Sequence, residues 1–189
     1  YKVSPDEFEV WMKLMKLVPD RVLWFYANNG AIHENIRAEA KKRGVAPERI
    51  VFAGFALQED HLSRLPLADI FLDTFNVNAH TTASDALWAG VPVVTKAGKQ
   101  FAARVAASLL HSVDLDELIA ATPQQYQALA LKLASDPAYL ADVKARLQES
   151  IKSGPLYDSK RFTRNFEALM EKAVERFDAG LKPDHISLQ

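Results

Sequence analysis

Two rhythms of apolar and polar positions alternate along this chain. Phe8, Trp11, Met12, Met15 and Val18 recur at the spacing of one helix face. Ser4-Pro5-Asp6-Glu7 before them combines an N-cap, a first-turn proline and a capping-box glutamate, so a helix is predicted from there to Pro19-Asp20. The rhythm then changes. Arg21 to Tyr26 is almost continuously apolar, the pattern of a strand covered on both faces. A polar loop, Ala27 to Ala31, leads to a predicted helix from Ile32 to Arg43, with Gly44 placed to end it. Arg49 to Ala53 reads as the next strand, Gly54 to Leu57 as a loop, and Gln58 to Leu65 as a short helix. Ile70 to Leu72 reads as a third strand ending at Asp73.

The stretch that follows carries the most information. Asn78 to His80 is a polar loop, Thr81 to Ala89 a short helix closed by Gly90, and Pro92 to Thr95 a strand. Strand, loop, helix and strand make one parallel β-α-β unit. In such units ligands sit at the carboxyl ends of strands, where helix starts direct free N–H groups at anions. His80, Thr81 and Thr82 occupy that point, and Asp85 falls about one turn on, within reach of a sugar hydroxyl. A threonine at a helix start is also an ordinary cap, and spacing alone leaves both readings open.

Beyond Thr95 the chain becomes mostly helical. Lys96 to Gln100 is a loop, Phe101 to His111 an alanine-rich helix with Arg104 in its first turn, and Leu115 to Ile119 a short edge element. Thr122-Pro123 and Asp136-Pro137 are cap-plus-proline starts for helices to Ser135 and Glu149. A last helix spans Ser159 to Ala179, with Phe162, Phe166, Leu169, Met170, Ala173, Val174 and Phe177 on one face. The expected fold is α/β, a doubly wound parallel sheet filling residues 1–189, with a helical elaboration over 122–180.

Composition narrows the function. The 189 residues are 49% hydrophobic and 25% charged, with a net charge of −1, so no basic excess points to nucleic acid. No apolar run approaches the ~18 residues that span a membrane. The absence of cysteine excludes disulfides, thiolate catalysis and Cys-ligated zinc, and the expected compartment is the cytoplasm. The first residue is Tyr1 rather than Met, as in a fragment or a processed product. There is no Gly-x-Gly-x-x-Gly, Walker loop or Gly-x-Ser-x-Gly. His61 and His80 lack the close-spaced partners of a metal site, and none is expected. His33, His111 and His185 read as surface or packing residues. Trp11, Trp24 and Trp88 fall on apolar faces and read as core. Lys2, Arg64, Lys96, Lys99 and Arg104 are cations near loops or helix starts. Solvated singly they mean little, whereas clustered at helix N-termini they would suit a diphosphate.

The string His80-Thr81-Thr82-Ala83-Ser84-Asp85-Ala86-Leu87-Trp88-Ala89-Gly90-Val91-Pro92-Val93-Val94-Thr95 resembles the O-linked N-acetylglucosamine (O-GlcNAc) transferases and their bacterial homologues. The likeness continues through Phe101 to Ser108, back through Leu67 to Thr74 and Arg49 to Phe52, and out to Tyr1-Lys2-Val3 and Gly180 to His185. It implies the C-terminal, Rossmann-like half of a GT-B glycosyltransferase, an inverting and metal-independent enzyme that takes UDP-GlcNAc, releases UDP and needs no cofactor. The protein acceptor would bind through a second Rossmann-like half and tetratricopeptide repeats outside this chain.

The resemblance also implies roles for single residues. Lys2 matches a lysine on the diphosphate that stabilises the leaving group. Ala56 matches a backbone contact to uracil, His61 a residue packed on the base, and Arg64 one at the uracil edge. His80, Thr81 and Thr82 match the phosphate-binding turn, and Asp85 the ribose contact. Gln58 departs from the pattern, because animal members carry there a lysine that reaches the ribose. A GDP-fucose-dependent protein O-fucosyltransferase and a catalytically silent nucleotide-binding module are the competing readings.

Overall fold

The computed structural model describes residues 2–188, so Tyr1, part of the resemblance, lies outside the described residues. Helix α1 (Pro5–Leu17) starts as its sequence dictates, the Glu7 carboxylate accepting from the Ser4 amide at 2.7 Å and from the Ser4 hydroxyl. It buries Phe8, Trp11, Met12 and Met15. Strand β1 (Leu23–Tyr26) begins two residues later than expected. The Arg49 guanidinium takes the carbonyls of Met15, Val18 and Arg21, so the chain entering β1 is tied to a side chain rather than to a neighbouring strand.

Helix α2 (Gly30–Lys42) returns the chain to β2 (Ile50–Ala53), parallel to β1 in the register Leu23 to Ile50. Helix α3 (Gln58–Arg64) and a 3-10 turn lead to β3 (Phe71–Leu72), helix α4 (Thr81–Trp88) and β4 (Val93–Lys96). Gly90 ends α4 at φ +78°, where a side chain is strained and would also collide with the Gln148 amide. A 3-10 turn at Phe101–Ala103 and helix α5 (Val105–His111) precede β5 (Ile119–Ala120). Helices α6 (Pro123–Ser135), α7 (Pro137–Ser153) and α8 (Ser159–Asp178) complete the chain.

All strand pairs are parallel, and the chain is of the expected α/β class. Their hydrogen bonds form two pieces, β1-β2 and β3-β4-β5. One hydrophobic cluster runs through both, joining Ile50 and Ala40 to Val93, Val94, Ala86, Leu87 and Leu110. Helix α6 belongs to this core, because it buries Tyr126, Ala130 and Leu133 against α1 and the β4–β5 edge. No helix among the described residues is long and apolar enough to cross a membrane.

Three expectations need correction. Phe101 to His111 is not one helix: the Ala102 and Ala103 carbonyls accept from Asn78 and Gly98, and Arg104 breaks the run at φ −128°. Trp88 is 53% exposed and meets Tyr157 edge-on, and Trp24 is half-buried beneath the Arg64 guanidinium, so only Trp11 is core. The apolar stripe of α8 buries no residue among those described.

Candidate donor site at the strand ends

The expected site residues fall into two groups at the carboxyl ends of parallel strands. The first follows β2. Asn28, from the loop after β1, accepts the Phe55 N–H at 2.8 Å on its side-chain oxygen and so pins the Gly54–Leu57 loop. Ala56 lies in that loop, and Gln58 is the exposed first residue of α3. His61 and Arg64 share one face of α3. Arg64 donates to the Gly54 carbonyl at 3.0 Å and to His61 Nδ1 at 3.1 Å, with its guanidinium 5.8 Å from the Trp24 ring centre. A guanidinium can only donate, so Nδ1 of His61 is the bare nitrogen and Nε2 carries the proton. The pair brings two planar groups together on a partly exposed face, an arrangement suited to a planar heterocycle.

The second group surrounds the start of α4. His80 is the N-cap, with an unusual backbone (φ −103°, ψ −92°) and no side-chain capping bond. Thr81 and Thr82 are therefore not caps: they are the first two helical residues, both exposed. Their N–H groups have no partner among the described residues, while the Ala83 and Ser84 amides close onto the His80 carbonyl. This leaves two hydroxyls and two amides open at the positive end of a helix. His80 is steadied by Ala102 O, 3.3 Å from Nε2, and by the edge of Phe101.

Asp85 is half-buried one turn further and makes no side-chain hydrogen bond among the described residues. Tyr157, from the α7–α8 connection, donates to the Ser84 carbonyl at 2.7 Å and braces this turn. Burial pushes the Tyr157 phenol up, and the charge of Asp85 adds to the shift.

Lys2 joins this second group from the far end of the sequence. Its Nζ donates to the Asn78 carbonyl at 3.2 Å, a contact across 76 positions. Of the other candidate cations, Lys96 caps the Phe75 ring at 4.8 Å, Arg104 reaches the Gly98 carbonyl at 3.3 Å, and Lys99 is exposed. The clustered cation is therefore Lys2. Among the described residues no three His, Asp or Glu side chains gather where a metal ion could bind.

Sequence reasoning missed Asp73 and Tyr157. Asp73 is 1% exposed and accepts three hydrogen bonds, and burial pushes its carboxyl up to about 6 against the pull of those donors and of Lys2. A carboxylate closing an apolar strand was its visible signal. Tyr157 had none, because its role depends on how α7 turns into α8.

Residues 1–166 match the model of glycosyl transferase family 41. A UDP-N-acetylglucosamine–peptide N-acetylglucosaminyltransferase of Caenorhabditis elegans is 37% identical over 99% of this chain, which spans 16% of that protein. A probable enzyme of the same description from Arabidopsis thaliana is 33% identical over 100% of the chain and 19% of its own length. Among solved structures, a mutant O-GlcNAc transferase of Thermobaculum terrenum superposes on 93% of the chain and 34% of its own, with a TM-score of 0.84 at 30% identity. The chain thus spans about a fifth or less of the curated relatives it matches.

Proposed function

This chain belongs to glycosyl transferase family 41, and on that premise we propose that it is the donor-binding half of a UDP-GlcNAc-dependent protein O-GlcNAc transferase. One observation carries the reading: Lys2 is anchored on the Asn78 carbonyl, two residues before the N-cap of α4, so a cation is held near a helix start with two hydroxyls and two amides open. A diphosphate suits that point. Uracil suits the His61–Arg64 platform with the Ala56 backbone beside it, and the ribose lies within reach of Asp85.

The chemistry follows from charge. Breaking the bond to the sugar places negative charge on the β-phosphate. Donors already aimed at that charge stabilise the transition state more than the ground state. Lys2 and the α4 amides supply them without a metal ion. An acceptor hydroxyl attacking from the opposite face inverts the sugar carbon. The acceptor site and any general base belong to the rest of the protein, so this chain alone is expected to bind UDP and to transfer nothing. The new bond to the acceptor oxygen forms as the bond to the β-phosphate breaks, UDP carries away the electron pair, and the balance calls for no cofactor.

Gln58 favours a second reading. Without a lysine at that exposed position one contact to the ribose is lost, a loss that a catalytically silent nucleotide-binding module tolerates and an active transferase has to offset. The full-length protein tests both. Expected are transfer of GlcNAc to a peptide in the presence of a chelator, UDP bound in preference to GDP, and about 10²-fold lower turnover for Lys2→Ala with a smaller change in the donor KM. Preference for GDP, or near-normal turnover without Lys2, overturns the reading.

A further inference from the structure

We propose that Asp73 is a positioning residue for this reaction, holding the turn between β3 and α4 and, through it, the place of Lys2. The proposal rests on the donor-site reading above. Asp73 takes the Thr74 N–H at 2.8 Å and the Ala79 N–H at 2.7 Å on one oxygen, and the Thr95 hydroxyl at 2.6 Å on the other. The carboxylate thus ties the first and last residues of the 74–79 turn to each other and to β4. Ala79 stands between Asn78, whose carbonyl receives the Lys2 ammonium, and His80, the N-cap of α4. The root of the turn is held as well. The Asp73 carbonyl accepts from the Tyr126 hydroxyl at 3.0 Å, which accepts from Trp11 Nε1 at 3.1 Å.

Hydrogen bonding alone does not call for a charge here. Asparagine fills the same volume and can accept the same two amides, with its NH₂ toward the Thr95 oxygen. A buried carboxylate is the costlier choice. What it adds is a negative charge at the root of the turn that carries the Lys2 contact, and the Lys2 charge in turn favours that carboxylate against the larger effect of burial. All three donors already occupy its oxygens, and Lys2 forms no ion pair with it. The ammonium is therefore drawn to the turn without being captured, and stays available to an incoming phosphate.

The test uses the full-length protein with the variants Asp73→Asn, Asp73→Ala, Lys2→Ala and the Asp73→Asn/Lys2→Ala pair. Asp73→Asn is expected to lower turnover about 10-fold or more while changing the donor KM less than about 3-fold. In the Lys2→Ala background it is expected to cost less than about 2-fold further, because its effect passes through Lys2. Hydrogen exchange over residues 74–79, read by mass spectrometry, is expected to quicken about 10-fold or more in Asp73→Ala and to stay near wild type in Asp73→Asn. Wild-type turnover in Asp73→Asn, full additivity with Lys2→Ala, or unchanged exchange in Asp73→Ala overturns the proposal. If Asp73→Ala does not fold, the Asp73→Asn kinetics decide it. Failure of the wild-type protein to use UDP-GlcNAc is a separate result: it removes the donor assignment, and the exchange measurement still decides whether Asp73 holds the turn.

Discussion

Replacing Tyr126 with phenylalanine removes one oxygen from a buried chain of hydrogen bonds. The Tyr126 ring is fully buried and meets Phe75 edge-on at 5.1 Å. Its hydroxyl bridges Trp11 Nε1 at 3.1 Å and the Asp73 carbonyl at 3.0 Å, linking α1, α6 and the end of β3. Burial pushes its phenol well above the ordinary tyrosine range, so it stays a neutral bridge at any working pH. Phenylalanine fills the same space apart from one atom, so the cavity cost is small. The polar cost is larger. Two hydrogen bonds are lost, and the Trp11 indole N–H, on a residue 3% exposed, has no other partner among the described residues. At about 0.5–1.5 kcal/mol per bond, with a stranded donor raising the cost, the expected loss is about 3 kcal/mol. For a chain of this length that lowers the unfolding temperature by about 6–12 °C. Thermal unfolding followed by circular dichroism on the 189-residue chain, with urea unfolding in parallel, measures it. UDP affinity of the folded variant is expected within about 3-fold of wild type, because no nucleotide contact is touched. A fall of less than about 2 °C refutes the reasoning, since it shows that water or relaxation satisfies the indole.

Asp85→Ala is expected to weaken UDP binding by about 1–3 kcal/mol in a calorimetric titration, while a stability loss with unchanged affinity reduces Asp85 to a first-turn acid of α4. Asp73 makes stability depend on pH. Its carboxyl is raised in the fold to about 6 from an ordinary 3.8, so the fold favours the protonated form. That contribution is fully present below pH 3.8 and is lost as the pH rises through about 6. The shift of about 2 units sets about 3 kcal/mol as its upper size. Asp73→Asn therefore gains on wild type between pH 4 and 7 in urea unfolding, and a pH-independent difference between the two contradicts the assignment.

Much of this molecule was legible because its signals are local. Thr122-Pro123 and Asp136-Pro137 mark helix starts whose side chains accept the Gln125 and Tyr139 amides in the structure, as capping residues do. The α4 stretch was legible for the same reason, from the residues at its start to Gly90 at its end. What escaped depends on contacts between distant residues. Arg49 shortens β1 from 28 positions away, and Asn78 breaks the helix expected at Phe101 by taking the Ala102 carbonyl. Trp88 sat at a helical apolar position, yet α4 turns it outward onto Tyr157. Lys2 is instructive. Its position second in the chain suggests a solvated lysine, and only the resemblance assigned it to the phosphates. The structure brings it to Asn78, beside the start of α4.

The central claim is that a nucleoside diphosphate lies between the His61–Arg64 platform and the start of α4. Titrating the isotope-labelled 189-residue chain with UDP in the presence of a chelator, and following its backbone amide resonances, tests this directly. The predicted result is saturable shifts confined to Lys2, the Gly54–Arg64 segment and residues 78–85, with the Thr81 and Thr82 amides moving most and GDP binding more weakly. Saturable shifts elsewhere on the chain, or Thr81 and Thr82 amides that stay fixed while UDP binds, would contradict the account.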